Sequence, residues 1–184
     1  VSVSRLFAPI FWGEDFAPCA YILSALALSI PFSGFANVIR MQYLIPNGMD
    51  GAYILSVILG AVSNLTANSL LIPRCGALGA AVGTVIAEGV VCAAQCLAVK
   101  KRIDILAYLK STAFFGMAGL LMYGAVQVLD QRAEITVSWL LLEIVVGGSV
   151  YCILSVLYLY HTKNELLMTA LQKLGGAHQN NDRG

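Results

Sequence analysis

Charge is scarce in this chain: 11 Lys and Arg and 10 Asp and Glu make up only 11% of its 184 residues, where soluble domains carry roughly a quarter. That excludes an ordinary water-facing surface, and a balance of +1 offers no electrostatic footprint for nucleic acid. Histidine is scarcer still. His161 and His178 stand near the C-terminal end with no carboxylate or cysteine cluster beside them, so no nucleophile–base pair can be drawn and no enzyme is expected. The five cysteines are odd in number and lie mostly inside apolar runs, where they read as small buried hydrophobes rather than disulfides. Cys92 and Cys96 are one helical turn apart but have no second ligand pair, so neither zinc nor any other cofactor is implied. The N-terminal stretch lacks a basic start, a short apolar core and a small-residue cleavage site, so it does not read as a signal peptide. It also lacks an initiating Met, and the chain is expected to continue upstream.

What the chain has in excess is apolar sequence: 59% hydrophobic residues and a mean hydropathy of +0.79. Tyr53 to Ile72 is 20 residues without a charge, and Ala77 to Val99 is 23 residues with Glu88 as the one charge. At 1.5 Å per residue each run is about 30 Å or longer, enough to cross a bilayer as a helix. The break between them, Pro73-Arg74-Cys75-Gly76, forces the two helices to lie antiparallel and side by side. Further spans are predicted over 18–45, 111–129 and 137–160, and residues 1–12 read as the end of a helix that begins upstream. Pro31 is expected to kink the first full span. The fold class is therefore all-α, a polytopic bundle of five membrane helices and a partial one. Residues 161–184 form a polar tail whose end cannot bury anything. Lys100, Lys101, Arg102 and Lys110 share one loop and Lys163 and Lys173 the tail; two spans separate loop from tail, so both are assigned to the cytoplasmic side.

Polar groups inside the runs fall on helical faces. Ser29, Ser33, Asn37 and Arg40 line one face of the first full span, Ser56, Gly60, Asn64 and Asn68 one face of the second, and Gly76, Ala80, Thr84 and Glu88 one face of the third, with Gln95 two turns on. Three such stripes pack inward, as a close seam or as the wall of a wet cavity. Small residues at spacing four, such as Gly79 and Gly83, serve close helix approach without any ligand, so Asn64 and Asn68 fit either role. Glu88 lies 11 residues from each end of its run, hence at the midplane, where a carboxylate facing lipid costs at least about 2.5 kcal/mol. It has to face the interior. Arg40, six residues before Pro46, is about 9 Å from the edge; it either snorkels there or faces the cavity, where it would come within reach of Glu88. Glu143, about 9 Å from the other edge by the same rise, reads as a snorkelling group.

The segments GEDFAP (13–18), LALSIPFSGFANVIRMQYLIPNG (26–48) and SVILGAVSNLTANSLLIPRCGALGAAVGTVIAEGVV (56–91) resemble the C-terminal lobe of bacterial polysaccharide flippases, O-antigen flippases included, of the multidrug, oligosaccharidyl-lipid and polysaccharide exporter superfamily. The resemblance covers about residues 5 to 105 and is densest over Leu71 to Glu88. It implies one lobe of a two-lobed transporter in the bacterial inner membrane that moves an undecaprenyl-pyrophosphate-linked oligosaccharide between leaflets. The partners implied are that lipid-linked sugar, membrane lipid and an N-terminal lobe, since five spans and a partial one fall short of the twelve or fourteen of the family. Charged cavity residues are common in the family, and that role passes to Arg40 and Glu88, with Asn37, Asn64 and Asn68 as hydrogen-bonding partners for sugar hydroxyls. A cation-coupled drug antiporter of the same superfamily and a non-transporting membrane scaffold are the alternatives.

Overall fold

The computed structural model describes residues 3–130 and 135–161, and among these the regular structure is all helical. The elements are α1 (Ser4–Trp12), α2 (Cys19–Ala27), α3 (Ser29–Ile39), α4 (Asp50–Val99), α5 (Ile105–Asp130) and α6 (Val137–His161). Among the described residues, four stretches are long and apolar enough to cross a membrane: Cys19–Leu44, Asp50–Val99, Thr112–Asp130 and Val137–Tyr160. The second folds back on itself and so provides two crossings, making five. The protein is a membrane-embedded helical bundle. Leucines and isoleucines such as Leu65, Leu120 and Ile30 stand outward, as hydrocarbon rather than water permits.

The first full span is not one smooth helix. Pro31 has no N–H for the carbonyl four residues back, and the helix breaks at Leu28, whose N–H turns to the carbonyl of Ala25 at 3.1 Å. At its far end the span widens into a π-turn over Arg40–Leu44, with Ile45 N–H bonded to the Arg40 carbonyl at 3.0 Å. Gly48, at φ 64°, carries the chain round into α4.

Within α4 the fold-back needs a single residue. Helical geometry holds through Cys75 and fails only at Gly76 (φ 56°, ψ −136°), a conformation that a Cβ would oppose. The predicted four-residue turn is thus tighter than its sequence suggests. Contacts between the two arms are disposed symmetrically about that glycine: Ser56 against Gln95, Gly60 against Val91, Asn68 against Gly83, Leu71 against Gly79. A Cβ on Gly79 would stand 2.5 Å from the Leu71 carbonyl oxygen, so glycine there is what lets the arms close. Beyond the arms, α2 and α3 pack along α4, and Ile39, Leu44 and Val99 form a small buried core at the end remote from Gly76.

One expectation about the remaining spans changes. The basic stretch predicted as a loop to Lys110 is helical from Ile105, so the turn is confined to the residues just after Val99. The pair α5 and α6 pack on each other, and α1 bridges α2 and α6. The Ser4 and Ser24 hydroxyls, 2.7 Å apart, tie α1 to α2. The predicted tail loses its first residue, His161, to α6; the rest of it, residues 162–184, lies outside the described residues, as do 131–134 and the first two residues of the predicted 1–12 helix end.

Candidate functional site

The stripe of α3 and one face of the second arm of α4 meet around a pocket of about 200 Å³. Ser33, Asn37 and Arg40 come from the first span, Tyr53 from the first arm, and Glu88 and Gln95 from the second arm. Ala36, Val57 and Val91 supply its apolar wall.

Arg40 is held from two sides. Nη1 donates to the Tyr53 hydroxyl at 3.4 Å, and Nη2 donates to Asn37 Oδ1. The guanidinium carbon lies 5.3 Å from the centre of the Tyr53 ring, within the range of a cation–π contact. Nε is buried without a partner. The helix leading to it changes pitch at that residue, and π-turns recur at functional positions because they re-aim a side chain out of the α-helical register.

Gln95 is 1% exposed. Its Nε2 donates to Ser56 Oγ at 3.1 Å, and Ser56 Oγ donates to the Tyr53 carbonyl at 2.6 Å. That chain fixes the amide, and Oε1 is left buried with no hydrogen-bond partner. An orphaned acceptor at this depth is costly unless something fills it. Glu88 is half-buried on the same wall. Among the described residues Arg40 and Glu88 make no ion pair, so both keep capacity for a third party.

Of the residues singled out from the sequence, Asn37, Arg40 and Glu88 are brought together here, while Asn64 and Asn68 are not among those lining the pocket. Asn68 sits in the seam between the arms, with Asn64 one turn before it on the same arm. Asn68 Nδ2 donates to Asn64 Oδ1 at 2.8 Å, and Asn68 Oδ1 occupies the space a Cβ on Gly83 would need. Gln95 was visible as the last member of the α4 stripe, and its fixed, orphaned oxygen gives it a place beside the three. Glu143 differs from its reading as a snorkelling group. It is fully buried, with neither carboxylate oxygen partnered.

A neighbouring apolar groove of about 120 Å³, lined by Phe35, Val38, Tyr43 and Tyr108 among others, contains no charged side chain. No protein-family model, curated protein or solved structure matches the chain.

Proposed function

We propose that this chain is the C-terminal lobe of a transporter that flips an undecaprenyl-pyrophosphate-linked oligosaccharide across the bacterial inner membrane, with its C-terminus cytoplasmic, for surface polysaccharide or O-antigen synthesis. The observation that carries the proposal is the convergence of Arg40, Asn37, Glu88 and Gln95 on one intramembrane pocket. A phosphorylated sugar combines the chemistries those groups call for. Its phosphate oxygens accept from guanidinium, and its hydroxyls donate to a carboxylate or an amide oxygen. The resemblance of residues 5 to 105 to polysaccharide flippases points the same way.

Glu88 also suits an antiporter for cationic drugs, the second reading. The Arg40 guanidinium on the same pocket weighs against it, because a cationic drug would meet a like charge in a medium of low dielectric.

The test is binding of a polyprenyl pyrophosphate to the purified protein, paired with surface polysaccharide export in the producing cell. Arg40→Ala is expected to weaken binding about 10- to 150-fold, the range of a hydrogen bond to a charged group, and to depress export while the protein still inserts and folds. Unchanged affinity and export would remove Arg40 from the mechanism. Drug extrusion that depends on Glu88, with no pyrophosphate binding, would favour the antiporter.

A further inference from the structure

The second concentration of buried charge lies away from this pocket, where α1 meets the α5–α6 pair. Gly147 of α6 faces Val126 of α5; a Cβ on the glycine would stand 3.0 Å from the valine Cγ2. In an antiparallel pair that register carries over one helical turn toward the 130–137 end, and there Asp130 faces Glu143. Both are buried, Asp130 at 6% exposure and Glu143 at 0%. Arg5 of α1 donates from Nη1 to Asp130 Oδ2 at 3.2 Å. The other three carboxylate oxygens, Asp130 Oδ1 and both oxygens of Glu143, have no hydrogen-bond partner.

Among the described residues, two carboxylates and one guanidinium leave this junction one positive charge short. Burying an uncompensated carboxylate in a membrane span is among the most expensive arrangements available to a protein. Beside Asp130 lies an open cleft of about 680 Å³ whose wall includes Ser24, Tyr21, Tyr123 and Gln127. These are oxygen-bearing side chains of the kind that hard cations accept. Among the described residues, the charged and titratable groups at the junction are Arg5 from α1, Tyr21 from α2, Asp130 and Tyr123 from α5, and Glu143 itself.

We propose that Asp130 and Glu143 form a site for one small monovalent cation, a proton or an alkali-metal ion, at the junction of α1 with α5 and α6. The bound charge relieves the repulsion across the α5–α6 pair and fastens α1, which bridges that pair to α2. The site is separate from the Arg40 pocket and does not depend on what that pocket carries.

The chain contains two tryptophans, and they flank the junction in sequence. Trp12 ends α1, and Trp139 stands one turn before Glu143 on α6. The experiment uses the full chain in phosphatidylcholine nanodiscs and reads tryptophan emission together with the thermal unfolding midpoint. One arm replaces choline chloride by sodium or potassium chloride at constant ionic strength and pH. The other varies pH in choline chloride alone. A saturable change in emission with a midpoint raised by several degrees is expected in one arm. A response in the first arm identifies an alkali-metal ion, and a response confined to the second identifies a proton. The response should vanish in Glu143→Gln and in Asp130→Asn, which keep side-chain shape, and persist in Glu88→Gln. Emission and midpoint indifferent to both arms would overturn the proposal. So would a response that survives Glu143→Gln or is lost in Glu88→Gln.

Discussion

Two polar stripes of nearly the same composition end up in opposite surroundings. On the first arm of α4, Asn68 bonds to Asn64 and closes against Gly83 of the second arm. Asn37 and Arg40, on the first full span, face Glu88 and Gln95 across an open pocket. The difference lies in what stands opposite and in how the helices are joined. Across the seam stand glycines, and a one-residue reversal at Gly76 holds the arms together. Across the pocket stand Val57, Val91 and a glutamate, and the joint is a π-turn followed by a longer loop. A polar stripe in a membrane helix is therefore sealed or open according to the size of the residue it meets.

The seam should break hardest at Gly79. A Cβ there meets the Leu71 backbone, with the carbonyl oxygen at 2.5 Å and the carbonyl carbon at 2.6 Å, and backbone cannot rotate out of the way. Gly79→Val is expected to cost about 3 kcal/mol, the upper end for overpacking, read as a lowered unfolding midpoint in detergent. If the midpoint holds, the arms are not in close contact. In the pocket the corresponding change is milder for the fold. Gln95→Leu removes the bond to Ser56 and the orphaned acceptor together, so stability should move by less than about 1 kcal/mol. Affinity for a polyprenyl pyrophosphate sugar should fall about 2- to 12-fold, the value of one hydrogen bond. A loss confined to stability would make Gln95 a packing residue. Asn64→Ala should have the smallest effect, about 0.2–0.5 kcal/mol from one side-chain bond between residues four apart on the same arm, with ligand affinity unchanged in a binding titration. A drop in affinity would put the seam inside the site.

Much of this architecture is legible in the sequence, and the reasons are physical. Uncharged runs of 20 residues have one economical fate in a bilayer, and the Pro73 to Gly76 break leaves antiparallel packing as the short route back. The stripe on the first full span could be read from spacing alone, because helical faces repeat every three to four residues. Whether the Asn64–Asn68 stripe is sealed could not, since the answer depends on which residue of the second arm stands opposite each asparagine. Nor has the π-turn at Arg40 a sequence signature of its own. Glu143 illustrates the limit most plainly. Distance from a span end suggests a group that can reach water, but its burial follows from the register that Gly147 and Val126 set. The basic stretch after Val99 misled in another way: Lys100, Lys101 and Arg102 do form the turn, but Leu106, Ala107 and Leu109 are good helix formers and α5 begins with them, taking in Lys110.

The contrast between seam and pocket is open to direct measurement. In a background with the five native cysteines replaced, Asn37→Cys and Asn68→Cys would each be exposed to a membrane-impermeant maleimide in nanodiscs. Reaction at position 37 should be at least about tenfold faster, because Asn37 is exposed while Asn68 is part-buried against Gly83 and gains full access only as the arms loosen. Equal rates, or faster labelling at position 68, would contradict the account.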